Sequence, residues 1–107
     1  MKRTLPGEIG WVDFGLAAKV RPALILSDYP QDDELALLVV IPHTTAVRGN
    51  RWELDVRKPF LKNPGVFHLQ QIQPISLARF ESRLGALTTD ELKRLKDSLT
   101  RLLNLGT

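Results

Sequence analysis

With 107 residues, 43% of them apolar and 25% charged, the chain has the balance of one globular domain spanning residues 1–107. It has no cysteine and only two histidines, His43 and His68, and its acidic residues are scattered. That excludes disulfides, thiolate nucleophiles and cysteine- or histidine-rich metal sites, so no metal and no cofactor is expected. A net charge of +3 suits an anionic partner, because Lys and Arg neutralise phosphates.

The first two thirds of the chain predict short strands, and the end predicts one helix. Glu8 to Phe14 alternates, with Ile9, Trp11 and Asp13 on one side and Val12 and Phe14 on the other. Pro22 to Ser27 and Leu35 to Ile41 are apolar runs suited to strands buried on both faces. Trp52 to Arg57 alternates, which points Trp52, Leu54 and Val56 towards a core. Val66 to Ile72 and Arg83 to Leu87 supply two more strands. The segments Asp28–Asp33, Arg48–Arg51 and Lys62–Gly65 carry turn chemistry.

Short strands at this spacing predict a compact barrel, which leaves no exposed sheet edge. Thr88 with Glu91 forms the pattern of a capping box. Leu92, Leu95, Leu99, Leu102 and Leu103 then share one helical face, as expected of a lid on the barrel. No stretch approaches the ~20 apolar residues needed to span a bilayer, and Met1 to Gly7 lacks the apolar core of a secretory signal. A cytoplasmic location, away from membranes, is the expectation.

Two segments place reactive groups at the end of an apolar strand. In Lys19-Val20-Arg21-Pro22, the proline biases Arg21 towards an extended backbone, so its guanidinium projects in a defined direction. There it can hold a phosphate in two hydrogen bonds, or pair with Asp13. In Pro42-His43-Thr44-Thr45, two hydroxyls and an imidazole are plausible phosphate contacts and equally plausible turn residues.

In order and spacing, Gly7 to Phe14, Arg21 to Ser27, Pro42 to Thr45 with Arg48-Gly49, Pro64-Gly-Val66, Gln71-Ile72 and Arg83 to Leu92 resemble the MazF/PemK toxins. The resemblance runs from about Gly7 to Leu103. It implies a mainly β (α+β) fold, a small SH3-like barrel of the MazF/PemK/CcdB type with a C-terminal amphipathic helix. It also implies a homodimer, sequence-specific cleavage of single-stranded mRNA, and neutralisation by a cognate antitoxin. The family's catalytic arginine falls on Arg21 and its catalytic threonine on Thr44. The implied reaction is attack by a ribose 2′-hydroxyl on the adjacent phosphorus, giving a 2′,3′-cyclic phosphate and a 5′-hydroxyl. Such chemistry needs a base, an acid and donors for the developing charge.

The chain departs from that family in its acidic helpers. Many members have a longer loop with an acidic residue before the Arg-Pro step, where this chain has only Gly15-Leu-Ala-Ala-Lys19. An arginine and an aspartate found in some relatives are His68 and Gln70 here. The expectation is that His43 or His68 serves as base, since a histidine titrates near 6.5. The expected RNA contacts are Phe14, Lys19, Thr45, Arg48, Arg51, Gln70 and Gln71. Trp52 could also stack on a base, but its alternation with Leu54 and Val56 suits the core better. Two other readings keep the fold: a barrel that binds RNA or a partner without cutting, and a toxin that poisons DNA gyrase.

Overall fold

A computed structural model describes residues 3–15 and 19–106. Leu16, Ala17 and Ala18 of the short segment before Lys19 lie outside the described residues, as do Met1, Lys2 and Thr107. Seven strands and one helix follow in the order β1 (Glu8–Asp13), β2 (Val20–Ile25), β3 (Leu37–Thr44), β4 (Glu53–Leu54), β5 (Val66–His68), β6 (Gln73–Ser76), β7 (Phe80–Ala86) and α1 (Thr89–Leu102). Single 3-10 turns at Leu69–Gln71 and Leu77–Arg79 flank β6. The longest helix is α1, and among the described residues no helix is long and apolar enough to cross a membrane.

The strands form one antiparallel sheet in the order β4-β5-β3-β2-β1-β7, with β6 also on β3. This is the mainly β fold with a C-terminal helix that the sequence predicts, but the sheet is not a closed barrel. Its terminal strands, β4 and β7, form no pair among the described residues. One reason is that β4 is only two residues long, far short of the predicted Trp52–Arg57. The inward alternation survives nonetheless: Leu54 and Val56 are buried and Trp52 is partly so. The predicted Val66–Ile72 strand likewise stops at His68, where the chain turns. Strand β6 was not foreseen, because Pro74 lies in its middle. It is tolerated because β6 pairs only with β3, leaving its other edge free.

The central strands are buried on both faces, as their apolar runs predict. Ile9, Leu24 and Ile41 belong to one core with Phe67 and Leu95, while Val12, Ala23, Ile25, Leu38 and Val40 belong to the other. Successive residues of a strand point to opposite faces, so each of β1, β2 and β3 feeds both cores.

Helix α1 closes the first core. The capping box is present in full: the Thr88 hydroxyl accepts the Glu91 N–H at 3.2 Å, and the Glu91 carboxylate accepts the Thr88 N–H at 2.8 Å. Leu95 is fully buried, and Leu92, Leu99 and Leu102 pack beside it. Leu103 does not join them; it is 45% exposed, because the helix ends at Leu102 and Asn104 (φ 56°) turns the chain away. The same Glu91 carboxylate receives the Lys58 ammonium at 2.6 Å, with both side chains largely buried. Burial pushes the Glu91 carboxyl up, but the hydrogen bonds and charge of Lys58 and Thr88 outweigh it and hold it below its usual range.

Thr88→Ala therefore lowers the unfolding free energy by about 1 kcal/mol, the ordinary cost of an N-cap. The depressed Glu91 carboxyl adds stability that is complete above the unfolded value of about 4.3 and is lost as pH falls through the folded value. Urea titrations of wild type and Glu91→Gln show a gap at pH 7 that narrows by pH 3. A gap of constant width contradicts this account.

Candidate functional site

Arg21 and Thr44 lie on β2 and β3, which pair with each other in antiparallel register. Ala23 faces Pro42, Leu24 faces Ile41 and Ile25 faces Val40. Continued two residues past its last pair, that register would set Arg21 opposite Thr44. In the fold the pairing stops at Ala23–Pro42, Thr44 pairs with Val66 instead, and Thr44 lines neither of the two clefts that Arg21 lines. The strands extend further than the sequence suggested, and this matters: Arg21 lies inside β2 and Thr44 inside β3, so the pleat directs both. The ladder itself ends at Ala23–Pro42, where Pro42 has no N–H to give. Beyond it, β3 pairs with β5 instead, His43 with Phe67 and Thr44 with Val66. The opening between β2 and β3 is where a substrate group can enter.

Thr44 is 8% exposed, and its hydroxyl oxygen accepts the Ala46 N–H at 3.1 Å. A hydroxyl that accepts one bond still has its proton to donate. Gly65 allows the backbone of β5 to press against this strand end. A Cβ there would lie 2.2 Å from the Thr44 carbonyl oxygen and 2.8 Å from the His43 ring.

Arg21 lines two clefts. The larger, about 940 Å³, runs past Lys19, Arg21, His43, Thr45, Lys62 and Asn63, and no carboxylate lines it among the described residues. The smaller, about 490 Å³, holds Arg21 with Phe14, Pro42, Gln71 and Gln73. The larger cleft is therefore a basic channel, and the smaller one an aromatic and amide shelf beside it. Asp13, a possible partner for Arg21 on sequence grounds, accepts the Gly15 N–H at 2.8 Å and sits 3.8 Å from Arg79.

The two histidines differ in place. His43 alternates with Thr44 and so belongs to the other face of β3, where it packs edge-on against Phe67 at 5.0 Å and lines the basic cleft. Burial lowers its pKa from the ordinary value, and the Asp55 charge opposes the shift. His68 pairs with Glu53 between β4 and β5 and is buried; its Nδ1 has no hydrogen-bond partner among the described residues. It lines neither cleft that holds Arg21.

The expected RNA contacts divide. Phe14 and Gln71 line the shelf, and Lys19 and Thr45 line the basic cleft. Arg48 and Arg51 are exposed on the loop between β3 and β4, with Arg51 stacked 4.3 Å over Trp52. That loop is held by Glu53, whose carboxylate accepts the N–H groups of Arg48 (2.7 Å) and Gly49 (2.8 Å). Gln70 is exposed and lines neither cleft. Sequence reasoning missed Lys62, Asn63 and Gln73; the first two were visible only as turn residues. Among the described residues no group of three or more His, Asp or Glu is placed to hold a metal ion.

Residues 5–103 match the family described as PemK-like, MazF-like toxin of type II toxin-antitoxin system. The chain belongs to that family. No curated protein matches it. Among solved structures, the MazF-like chain is similar to the Mycobacterium tuberculosis toxin MazF-mt6, with 25% identity and a TM-score of 0.77 over 94% of this chain and 99% of that one. It is also similar to an endoribonuclease in complex with its cognate antitoxin from mycobacterial species, at 20% identity and TM-score 0.77 over 97% and 98%. A MazE-MazF complex from Deinococcus radiodurans gives 20% identity and TM-score 0.76 over 96% and 97%. The last two likenesses speak for the fold.

The environment of His43 in this MazF-like chain is testable directly. Its ring titrates below the ordinary 6.5 when followed by proton–carbon NMR. A midpoint above that value contradicts the burial described here.

Proposed function

We propose that the chain is the toxin of a type II pair and acts as a metal-independent endoribonuclease on single-stranded RNA, in the cytoplasm. The observation that supports this reading is the cleft that Arg21 lines with Lys19, His43 and Lys62 and with no carboxylate among the described residues, beside a β2–β3 register that, continued past Ala23–Pro42, runs on to Arg21 and Thr44. Membership of the toxin family supports it, as does the similarity to a protein named an endoribonuclease.

The ribose 2′-hydroxyl attacks the adjacent phosphorus, the bond from phosphorus to the 5′-oxygen breaks, and a 2′,3′-cyclic phosphate and a 5′-hydroxyl result. Arg21 binds the non-bridging oxygens and donates to the charge that builds on them. Its pKa, above ~12, rules it out as base. Thr44 donates its free proton to the same phosphate. His43, neutral near pH 7 and lining the basic cleft, takes the 2′-hydroxyl proton, and the leaving oxygen gains a proton from water. His68, outside both clefts, has a packing role in this scheme. Lys19, Arg48, Arg51 and Lys62 attract the chain of phosphates, while Phe14, Thr45, Gln70 and Gln71 contact unpaired nucleotides.

A cognate antitoxin, as in the complexes named above, and a homodimer complete the proposal. A cleft with this charge suits an acidic antitoxin segment. A second reading, a module that binds RNA without cutting, draws on one observation, the low exposure of Thr44.

Incubation with a long unstructured RNA in EDTA separates the readings. The nuclease gives discrete fragments ending in a cyclic phosphate, and one 2′-deoxy nucleotide at the cut blocks cleavage there. Retarded but intact RNA contradicts the nuclease. Arg21→Ala and Thr44→Val each lower kcat by about 100-fold or more. His43→Ala removes the acidic limb of the pH–rate profile, which in the wild type lies below ~6.5 because activity requires the neutral ring.

A further inference from the structure

We propose that the cleft walled by the loop between β4 and β5 is a nucleobase subsite, holding an unpaired base that neighbours the scissile phosphate and reading its edge with Asp55 and Asn63. The inference rests on the ribonuclease reading and deepens it.

This cleft, about 680 Å³, is continuous with the basic cleft: His43, Leu61, Lys62 and Asn63 line both. A chain held by Arg21 therefore has an open path into it. Its walls have the composition of a small-ligand site, mostly apolar with a few placed polar groups. Val47, Pro59, Leu61 and Pro64 offer surfaces against which a flat base can lie, and Asp55 and Asn63 supply the hydrogen bonding.

The walls are also held in place, which lowers the ordering cost of binding. Lys58 ties the loop to the helix cap through Glu91 at 2.6 Å, and the Leu61 N–H donates to the Lys58 carbonyl at 3.0 Å. Phe60 and Leu61 pack on the first core. Gly65 holds the far end of the loop against Thr44 and His43, where no side chain would fit.

Shape and hydrogen bonding select the occupant: the apolar walls suit a flat base, and Asp55, its charge offset by Arg57, accepts a hydrogen bond from it. Arg57, 3.4 Å from Asp55 and exposed, and Lys62 at the junction serve the flanking phosphates. An ionised carboxylate only accepts hydrogen bonds, whereas the Asn63 amide donates and accepts. Every base offers a carboxylate at least one N–H, but only guanine offers two adjacent ones, N1–H and its 2-amino group, so guanine is the base preferred.

The test has two parts. A randomised RNA pool is cut by wild type, Asp55→Asn and Asn63→Ala, and the product ends are sequenced. Wild type favours guanine at one position beside the cut by about tenfold, and both variants relax that preference at that position alone. Unchanged preferences in both variants overturn the subsite and leave the nuclease reading standing. Independently of cleavage, a fully 2′-O-methylated RNA oligomer is added to nitrogen-labelled protein. It shifts the Asn63 side-chain amide and the backbone amides of residues 57–65. If the oligomer shifts these signals but ordinary RNA is never cut, the subsite stands and the nuclease reading falls. A polyglutamate peptide that shifts them when the oligomer does not assigns the cleft to a protein partner and overturns the proposal.

Discussion

The antiparallel register of β2 and β3 is the constraint on which the site depends. Three facing pairs, Ala23–Pro42, Leu24–Ile41 and Ile25–Val40, are each fully or largely buried, so a slip of one residue would carry two cores' worth of side chains to the wrong face. That cost locks the pleat, and the locked pleat aims Arg21 and Thr44. The core next to them fixes the backbone of both strands, and under the proposed function this brings two groups 23 positions apart in the sequence to one phosphate.

Proline sets where that register ends. Pro42 cannot extend the ladder, so β3 leaves β2 for β5 just as the reactive residues begin. The same alternation that sets Thr44 on one face of β3 sends His43 to the opposite face, into the basic cleft and against Phe67. Under the proposed function this division is useful. Arg21 and His43 line the same cleft from different strands, so the guanidinium meets the building charge while His43, in surroundings that favour its neutral form, takes the proton. Asp55, from the end of β4, is the acidic residue nearest in effect to that ring, in a chain whose expected acidic helpers are missing.

Much of this was legible in the sequence because it rests on local chemistry. The capping box at Thr88 and Glu91, the helix face through Leu95, and the two doubly buried strands follow from spacing and apolarity alone. The assignment of Arg21 and Thr44 as a catalytic pair rests on the family resemblance alone, since nothing in the segment around Thr44 distinguishes a strand end from a turn. Strand lengths were misjudged wherever polar or proline residues continue a ladder, as at Val20-Arg21, Pro42-His43-Thr44 and Pro74. Closure of the barrel was overestimated because β4 ends at Leu54 and does not run on to Arg57. Lys62 and Asn63 were invisible as site residues because a turn brings them to the cleft from 41 or more positions beyond Arg21.

The central claim is that one phosphate is held jointly by a guanidinium and a hydroxyl carried on two paired strands. A double-mutant cycle on RNA cleavage measures this, comparing kcat/KM for wild type, Arg21→Lys, Thr44→Val and the double variant. Joint action predicts that the double variant loses much less than the product of the single losses, a coupling well above ~0.5 kcal/mol. Losses that simply multiply would mean the two side chains act on different parts of the substrate, and the account would fail.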